Sequence, residues 1–182
     1  MRKPLHEYRL IGLTGTNGAG KGEVAAFLKS RGYAYISLSD MIREKLREEG
    51  KEADRNNLIQ KGNELRRQFG PAILAKLVME RVRSQTVIDS IRNTEEVEHI
   101  RRRGGFLLVA VDAPVEIRFA RVRERGRNES AGTLEEFIRK ETEEKGNDPL
   151  AQQLDGVMAV ADLTIINDGS IEDLHQKLEG LW

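Results

Sequence analysis

The chain has 182 residues, and its 30 basic and 30 acidic side chains cancel to a formal net charge of zero. That length suits one domain, residues 1–182, with a real hydrophobic core, and the charge balance offers no bulk basic field for nucleic acid. Cysteine is absent, which excludes disulfides and thiol chemistry; with no apolar run near the roughly 20 residues of a membrane span, and no signal-peptide core in residues 1–7, a cytoplasmic protein without a membrane partner is expected.

Residues 8–13 form a short apolar strand that stops at glycines, and a helical pattern of Val24, Ala25, Phe27 and Leu28 begins directly afterwards. Between them lies Gly15-Thr16-Asn17-Gly18-Ala19-Gly20-Lys21-Gly22. Strand, glycine-rich loop and helix together are the setting of a phosphate-binding loop. Glycines let consecutive N–H groups turn inward on a phosphate without a Cβ in the way. The helix adds unpaired N–H groups and its positive dipole end, and Lys21 adds a mobile charge for the outer phosphates. The residue after the lysine is usually Ser or Thr, whose hydroxyl holds Mg²⁺. Here it is Gly22, followed by Glu23. A carboxylate in the first turn suits the helix dipole but repels a triphosphate unless it faces away or helps hold the metal. The role of Glu23 stays open at this level.

Further along, the pattern predicts a helix over 21–30 capped by Gly32, and a second strand over 33–38. Ser39-Asp40 opens a helix over 41–49 that Gly50 closes. A longer helix starts at 54 with Leu58, Leu65 and Phe69 on one side, and Gly70-Pro71 separates it from a helix over 72–83. Residues 86–89 are a brief β-branched strand, 95–103 a helix, and 106–111 a continuous apolar strand of the kind buried in parallel sheets. Pro114 starts another helix, Thr133 with Glu136 forms a capping box for the next, 162–166 is a fifth strand, and 167–170 turns into the last helix. Alternating strands and helices give an α/β fold with right-handed crossovers, a five-stranded parallel sheet covered on both faces.

Ligands of such sheets sit beyond the carboxyl ends of the strands, where three polar groups fall. Asp40 and Arg43 lie one helical turn apart and can face one ligand, or else cap a helix and meet solvent. Asp89, at a strand end near the loop, can hold Mg²⁺, and Arg92 can grip a phosphate bidentately. Asp112 is the rival metal carboxylate, although Asp112-Ala113-Pro114 looks more like a helix entry. Arg121, Arg125 and Arg127 stand on and beside the flexible-looking stretch 126–132, as suits a lid, about 121–135, that closes over transferring phosphates. Arg118 and Arg123 are set aside as ordinary charges of a solvated helix. Arg66 and Arg67 either cover the acceptor from their helix or lie on the surface.

Gly-Lys-Gly in the loop, Ser-Asp-Met-Ile-Arg at 39–43 and Asp-Ser-Ile-Arg at 89–92 resemble the adenylate-kinase pattern of the nucleoside-monophosphate-kinase branch of P-loop proteins. Val-Asp-Ala-Pro at 111–114 and the stretch 161–170 resemble dephospho-coenzyme A kinases. The likeness covers nearly the whole chain and also extends to small deoxynucleotide-kinase-like modules. It implies a three-layer P-loop NTPase fold, ATP and Mg²⁺ as cofactors, and a small nucleotide-like acceptor bound by a helical region at about 39–83. Asp40, Arg43 and Arg92 match the positions that bind the acceptor, and Asp89 the position near the metal. The activity so implied is ATP-dependent phosphoryl transfer by positioning and charge neutralisation. The alternative is a nucleotide-binding switch or accessory ATPase with no small-molecule acceptor, for which Glu23 is the best support.

Overall fold

A computed structural model describes residues 3–125, 132–144 and 152–182. After a 3₁₀ turn at Leu5–Glu7 come β1 (Leu10–Gly15), α1 (Lys21–Ser30), β2 (Ala34–Ser37), α2 (Leu38–Glu48), α3 (Arg55–Phe69), α4 (Ile73–Arg81) and β3 (Thr86–Asp89). They are followed by α5 (Thr94–Arg101), β4 (Phe106–Asp112), α6 (Val115–Glu124), α7 (Leu134–Glu144), α8 (Leu154–Ala159), β5 (Leu163–Ile166) and α9 (Ile171–Leu181). All five strands run parallel in the order β2-β3-β1-β4-β5. Parallel neighbours need a crossover between them, and the helices supply it.

Side chains alternate across a strand, so each strand feeds two layers. Ile11, Leu13, Val109 and Val111 pack with Val24 and Leu28 of α1 and Leu174 and Leu178 of α9. Leu10, Ile88 and Leu108 face the other way, onto Met41 of α2, Leu74 of α4 and Ile100 of α5. Every strand of the sheet's centre is therefore apolar on both faces, as the continuous runs predict. The carboxyl ends of the strands share one edge, with Ser37 beside Asp89, Gly15 beside Val111 and Asp112 beside Ile166.

The local differences from the sequence pattern have physical causes. Helix α2 begins at Leu38 because the Ser37 hydroxyl, and not Ser39 or Asp40, caps it by accepting from the Ser39 N–H at 3.3 Å. The apolar side of α3 ends at Leu65; Phe69 is 54% exposed in the last turn, just before Gly70 leaves the helix at φ +97°. The short α8, held by buried Leu154 and Val157, has no counterpart in the pattern. The Thr133–Glu136 capping box is present, with Glu136 N–H donating to Thr133 Oγ1 at 3.2 Å and Thr133 N–H to Glu136 Oε2 at 3.4 Å. The stretch 126–131, part of the expected lid, lies outside the described residues.

Candidate active site

The glycine-rich loop leaves β1 at Gly15, whose φ is +140° and where a Cβ would collide with the Val111 carbonyl of the neighbouring strand. Only glycine makes that exit. Gly20 then opens α1 at φ +102° with no side chain capping the helix, so the first turn presents its N–H groups and positive dipole end to the loop. Asn167, beyond β5, reaches in where a Gly20 Cβ would stand, and its Nδ2 donates to the Ala19 carbonyl at 2.8 Å. Thr16 Oγ1 donates to Asp112 Oδ1 at 2.7 Å. The loop is thus tied to both β4 and β5.

Lys21 Nζ folds back to donate to the carbonyls of Gly15, at 2.8 Å, and Thr16, at 2.9 Å. Arg92 Nη1 also donates to the Gly15 carbonyl, at 3.3 Å. Burial lowers the Lys21 pKa from 10.5 to about 7, helped by the positive charges of Arg92, Arg118 and Arg125 and opposed by Asp89. An ammonium held in this way gains from any anion that replaces the two carbonyls.

A cleft of about 710 Å³ opens over the loop and runs to α2 and α3. Its walls bring together Asn17, Gly18, Gly20, Lys21 and Gly22 with Asp40, Arg43, Asp89, Arg92 and Arg125. Gly15, Thr16 and Ala19 are buried in the same loop. Arg43 Nη1 donates to Ser39 Oγ at 2.6 Å and to Asp40 Oδ1 at 3.2 Å, which joins the two residues of that helical turn. Asp89 Oδ2 accepts from the Tyr35 hydroxyl at 2.9 Å, and its Oδ1 from the Ser90 N–H at 2.6 Å. Burial and the Asp89 charge push the Tyr35 pKa up, so the phenol stays a donor. Ser90 itself sits at φ +64°, a left-handed conformation uncommon outside glycine, at the point where β3 turns into the cleft.

Among the described residues no group of three or more His, Cys, Asp or Glu could hold a metal ion. That donor set is poor for a metal caged by protein but fits magnesium, which takes one or two carboxylates and completes its shell with phosphates and water. Of the two carboxylates in question, Asp89 lines the cleft. Asp112 instead accepts from Thr16 and from the Ala113 N–H at 2.9 Å.

Of the lid arginines, Arg125 lines the cleft and Arg121 does not. Arg121 donates to the carbonyls of Asn167 and Gly169, each at 3.1 Å, and so braces the turn after β5. Arg127 lies outside the described residues.

Arg118 and Glu141 lie at the site although no local pattern marks them, and of the two placements open to Arg66 the cleft wall is the one found. Arg118, expected on a solvated face, is buried; it donates to the Ala113 carbonyl at 2.8 Å, to the Asn17 carbonyl at 3.3 Å and to Glu141 of α7 at 2.5 and 3.0 Å. Glu141 also lines the cleft. Arg66 is 1% exposed, on the cleft wall, with Nε and Nη2 donating to Glu96 Oε1 at 2.9 and 2.7 Å. The other oxygen of Glu96 accepts from the N–H groups of Arg92 and Asn93, at 2.9 and 3.0 Å, and so fixes the backbone that presents Arg92.

Residues 11–145 match the AAA domain family. A UPF0200 protein of Sulfurisphaera tokodaii is 34% identical over 175 residues, 95% of this chain and 95% of its own length. Another, of Thermococcus gammatolerans, is 33% identical over 183 residues, 94% of this chain and 93% of its own. Among solved structures, TT1252 from Thermus thermophilus superposes with a TM-score of 0.58 at 26% identity, over 94% of each chain. A shikimate kinase from Acinetobacter baumannii superposes with a TM-score of 0.55 at 22% identity, over 94% of this chain and 91% of that one. That is a likeness of fold, and it does not single out adenylate or dephospho-coenzyme A kinases. By its AAA domain and its nearly full-length likeness to these relatives, the chain belongs to the UPF0200 family of P-loop proteins.

Proposed function

We propose that the protein is a cytoplasmic small-molecule kinase that moves the γ-phosphoryl group of ATP to a nucleotide-like acceptor, a nucleoside or deoxynucleoside monophosphate or dephospho-coenzyme A. The observation that carries this reading is the Gly15 carbonyl, where Lys21 from the donor side and Arg92 from the acceptor side converge. A transferring phosphoryl group at that junction would meet both cations, and it is the place where charge spreads over the equatorial oxygens.

In this reading the loop amides of residues 15–22 and Lys21 hold the donor, while Asp40, Arg43 and Arg92 orient the acceptor. Asp89 is the carboxylate that would hold magnesium, which when bound supplies charge neutralisation between the terminal phosphates. Arg125, joined by Arg127 and by Arg121 once it releases the carbonyls beyond β5, would neutralise the transferring group and help exclude water. The shikimate-kinase neighbour of the fold makes hydroxyl acceptors worth including in any screen.

A coupled ATP-consumption assay over nucleoside monophosphates, deoxynucleotides, dephospho-coenzyme A and small hydroxy acids tests the proposal. Stimulation by one acceptor class supports it. Glu23 lines the cleft one residue beyond Gly22, which stands where a hydroxyl residue commonly follows the lysine, and this favours a second reading as an accessory ATPase or switch. ATP consumption that no acceptor accelerates would select that reading instead.

A further inference from the structure

The acceptor half of the cleft is walled by Leu38, Ile42, Leu58, Ile59 and Leu74, with Arg66 set into the same wall. The guanidinium has three nitrogens and Glu96 takes two of them. The third, Nη1, is buried and has no hydrogen-bond partner among the described residues. A buried donor left unmade is costly, so a native cleft wall that keeps one there calls for an acceptor atom.

The surroundings say what kind of atom. Glu96 balances the charge of Arg66, and both carboxylate oxygens are already filled by the guanidinium and by two backbone N–H groups. The pair is neutral as a whole, so Arg66 offers a second anionic group no net charge. What remains is one donor nitrogen, an NH2 group, in an apolar slot, the complement of a flat ring bearing a neutral carbonyl oxygen, which has two lone pairs to accept. Gly62, one turn before Arg66, keeps the approach open: a Cβ there would stand 3.3 Å from Nη1 and 2.9 Å from Ile42 Cδ1.

We propose that Arg66 Nη1 reads an exocyclic carbonyl of the acceptor's base, so that the acceptor is a monophosphate of a keto base such as guanine, hypoxanthine, uracil or thymine, in preference to adenine. The inference rests on the proposed acceptor site: a phosphate held by Arg43 and Arg92 would leave the base to reach towards α3.

The test is direct binding, by calorimetry, of GMP, UMP and AMP and of 2-aminopurine riboside monophosphate, which is GMP without its carbonyl. Wild-type protein is compared with Arg66→Lys, which keeps a cation on Glu96 but removes Nη1, and with Gly62→Ala, which crowds Nη1 and leaves the ion pair intact. The expected result is that a keto-base monophosphate binds roughly ten- to a hundredfold more tightly than its carbonyl-free counterpart, the usual effect of leaving a buried donor unpaired. Both variants should reduce that preference to near unity; if Arg66→Lys fails to fold, Gly62→Ala decides. Equal binding of AMP, a preference that survives in the folded variants, or no monophosphate binding at all would overturn the assignment and leave Nη1 to a structural water. A parallel turnover assay separates this from the kinase reading: keto-selective binding without phosphoryl transfer sinks only the kinase, and transfer without base selectivity sinks only the role of Arg66.

Discussion

Arg118 and Glu141 form a two-pronged pair, at 2.5 and 3.0 Å, that fastens α7 to α6, and the same guanidinium reaches the Asn17 carbonyl of the phosphate loop. Glu141→Ala strands a buried cation, so it should cost about 3 kcal/mol of stability. For a chain of this size that corresponds to a melting temperature lower by roughly 6–12 °C in a calorimetric scan. An unchanged melting temperature would mean that the pair carries no weight in the fold.

Proton uptake on nucleotide binding follows from the state of Lys21. Its pKa of about 7 in the free protein lies below the ordinary 10.5, and a bound polyphosphate favours the charged form and moves it back up. Binding at pH 8 should therefore take up a proton, and affinity should fall by up to about tenfold per pH unit as pH rises above 7, until the raised pKa of the complex is passed. Calorimetry of Mg-ATP binding in two buffers of different ionisation enthalpy measures the uptake, and Lys21→Met should abolish it.

If Arg43 and Arg92 hold the acceptor as proposed, their loss should act on one substrate more than the other. Each charge-assisted hydrogen bond contributes about 1.5–3 kcal/mol, so Arg43→Ala and Arg92→Ala should raise the acceptor KM by roughly ten- to a hundredfold. The KM for ATP should move much less. Steady-state kinetics with each substrate varied in turn decides this; equal effects on both would remove these residues from the acceptor side.

Gly22 offers a gain-of-function test. A Cβ at this position would meet nothing within 4 Å, so a serine fits without rearrangement. Gly22→Ser should stabilise the helix slightly, by about 0.5 kcal/mol, and lower the magnesium concentration needed for half-maximal ATP consumption. If Glu23 already does the work of the absent hydroxyl, the magnesium titration will not move.

Elements with a strong local signal are legible in the sequence itself. The glycine-rich loop announces itself through residue types that adopt positive φ, and the strand 106–111 through its unbroken apolar run. The cleft does bring Lys21, Asp40, Arg43, Asp89 and Arg92 together from separate segments of the chain. The residues that the sequence hides act across long separations. Arg66 and Glu96 are 30 positions apart and Arg118 and Glu141 23 apart, and although Arg66 could be placed over the acceptor, neither pairing shows until the fold supplies the partner. Arg121 shows the converse: helical spacing sets its flank correctly, but only tertiary structure reveals that carbonyls beyond β5 claim its fork. Helix α8 escapes notice because a six-residue segment containing Gly156 shows too little periodicity to register.

Asn167 clamps a turn that was translated 148 positions earlier, by its bond to Ala19. A nascent chain therefore has its glycine-rich turn held from β4 alone, by Thr16 and Asp112, until β5 zips onto β4. Nucleotide capture should accordingly arrive late in synthesis, as one event with completion of the sheet's far edge.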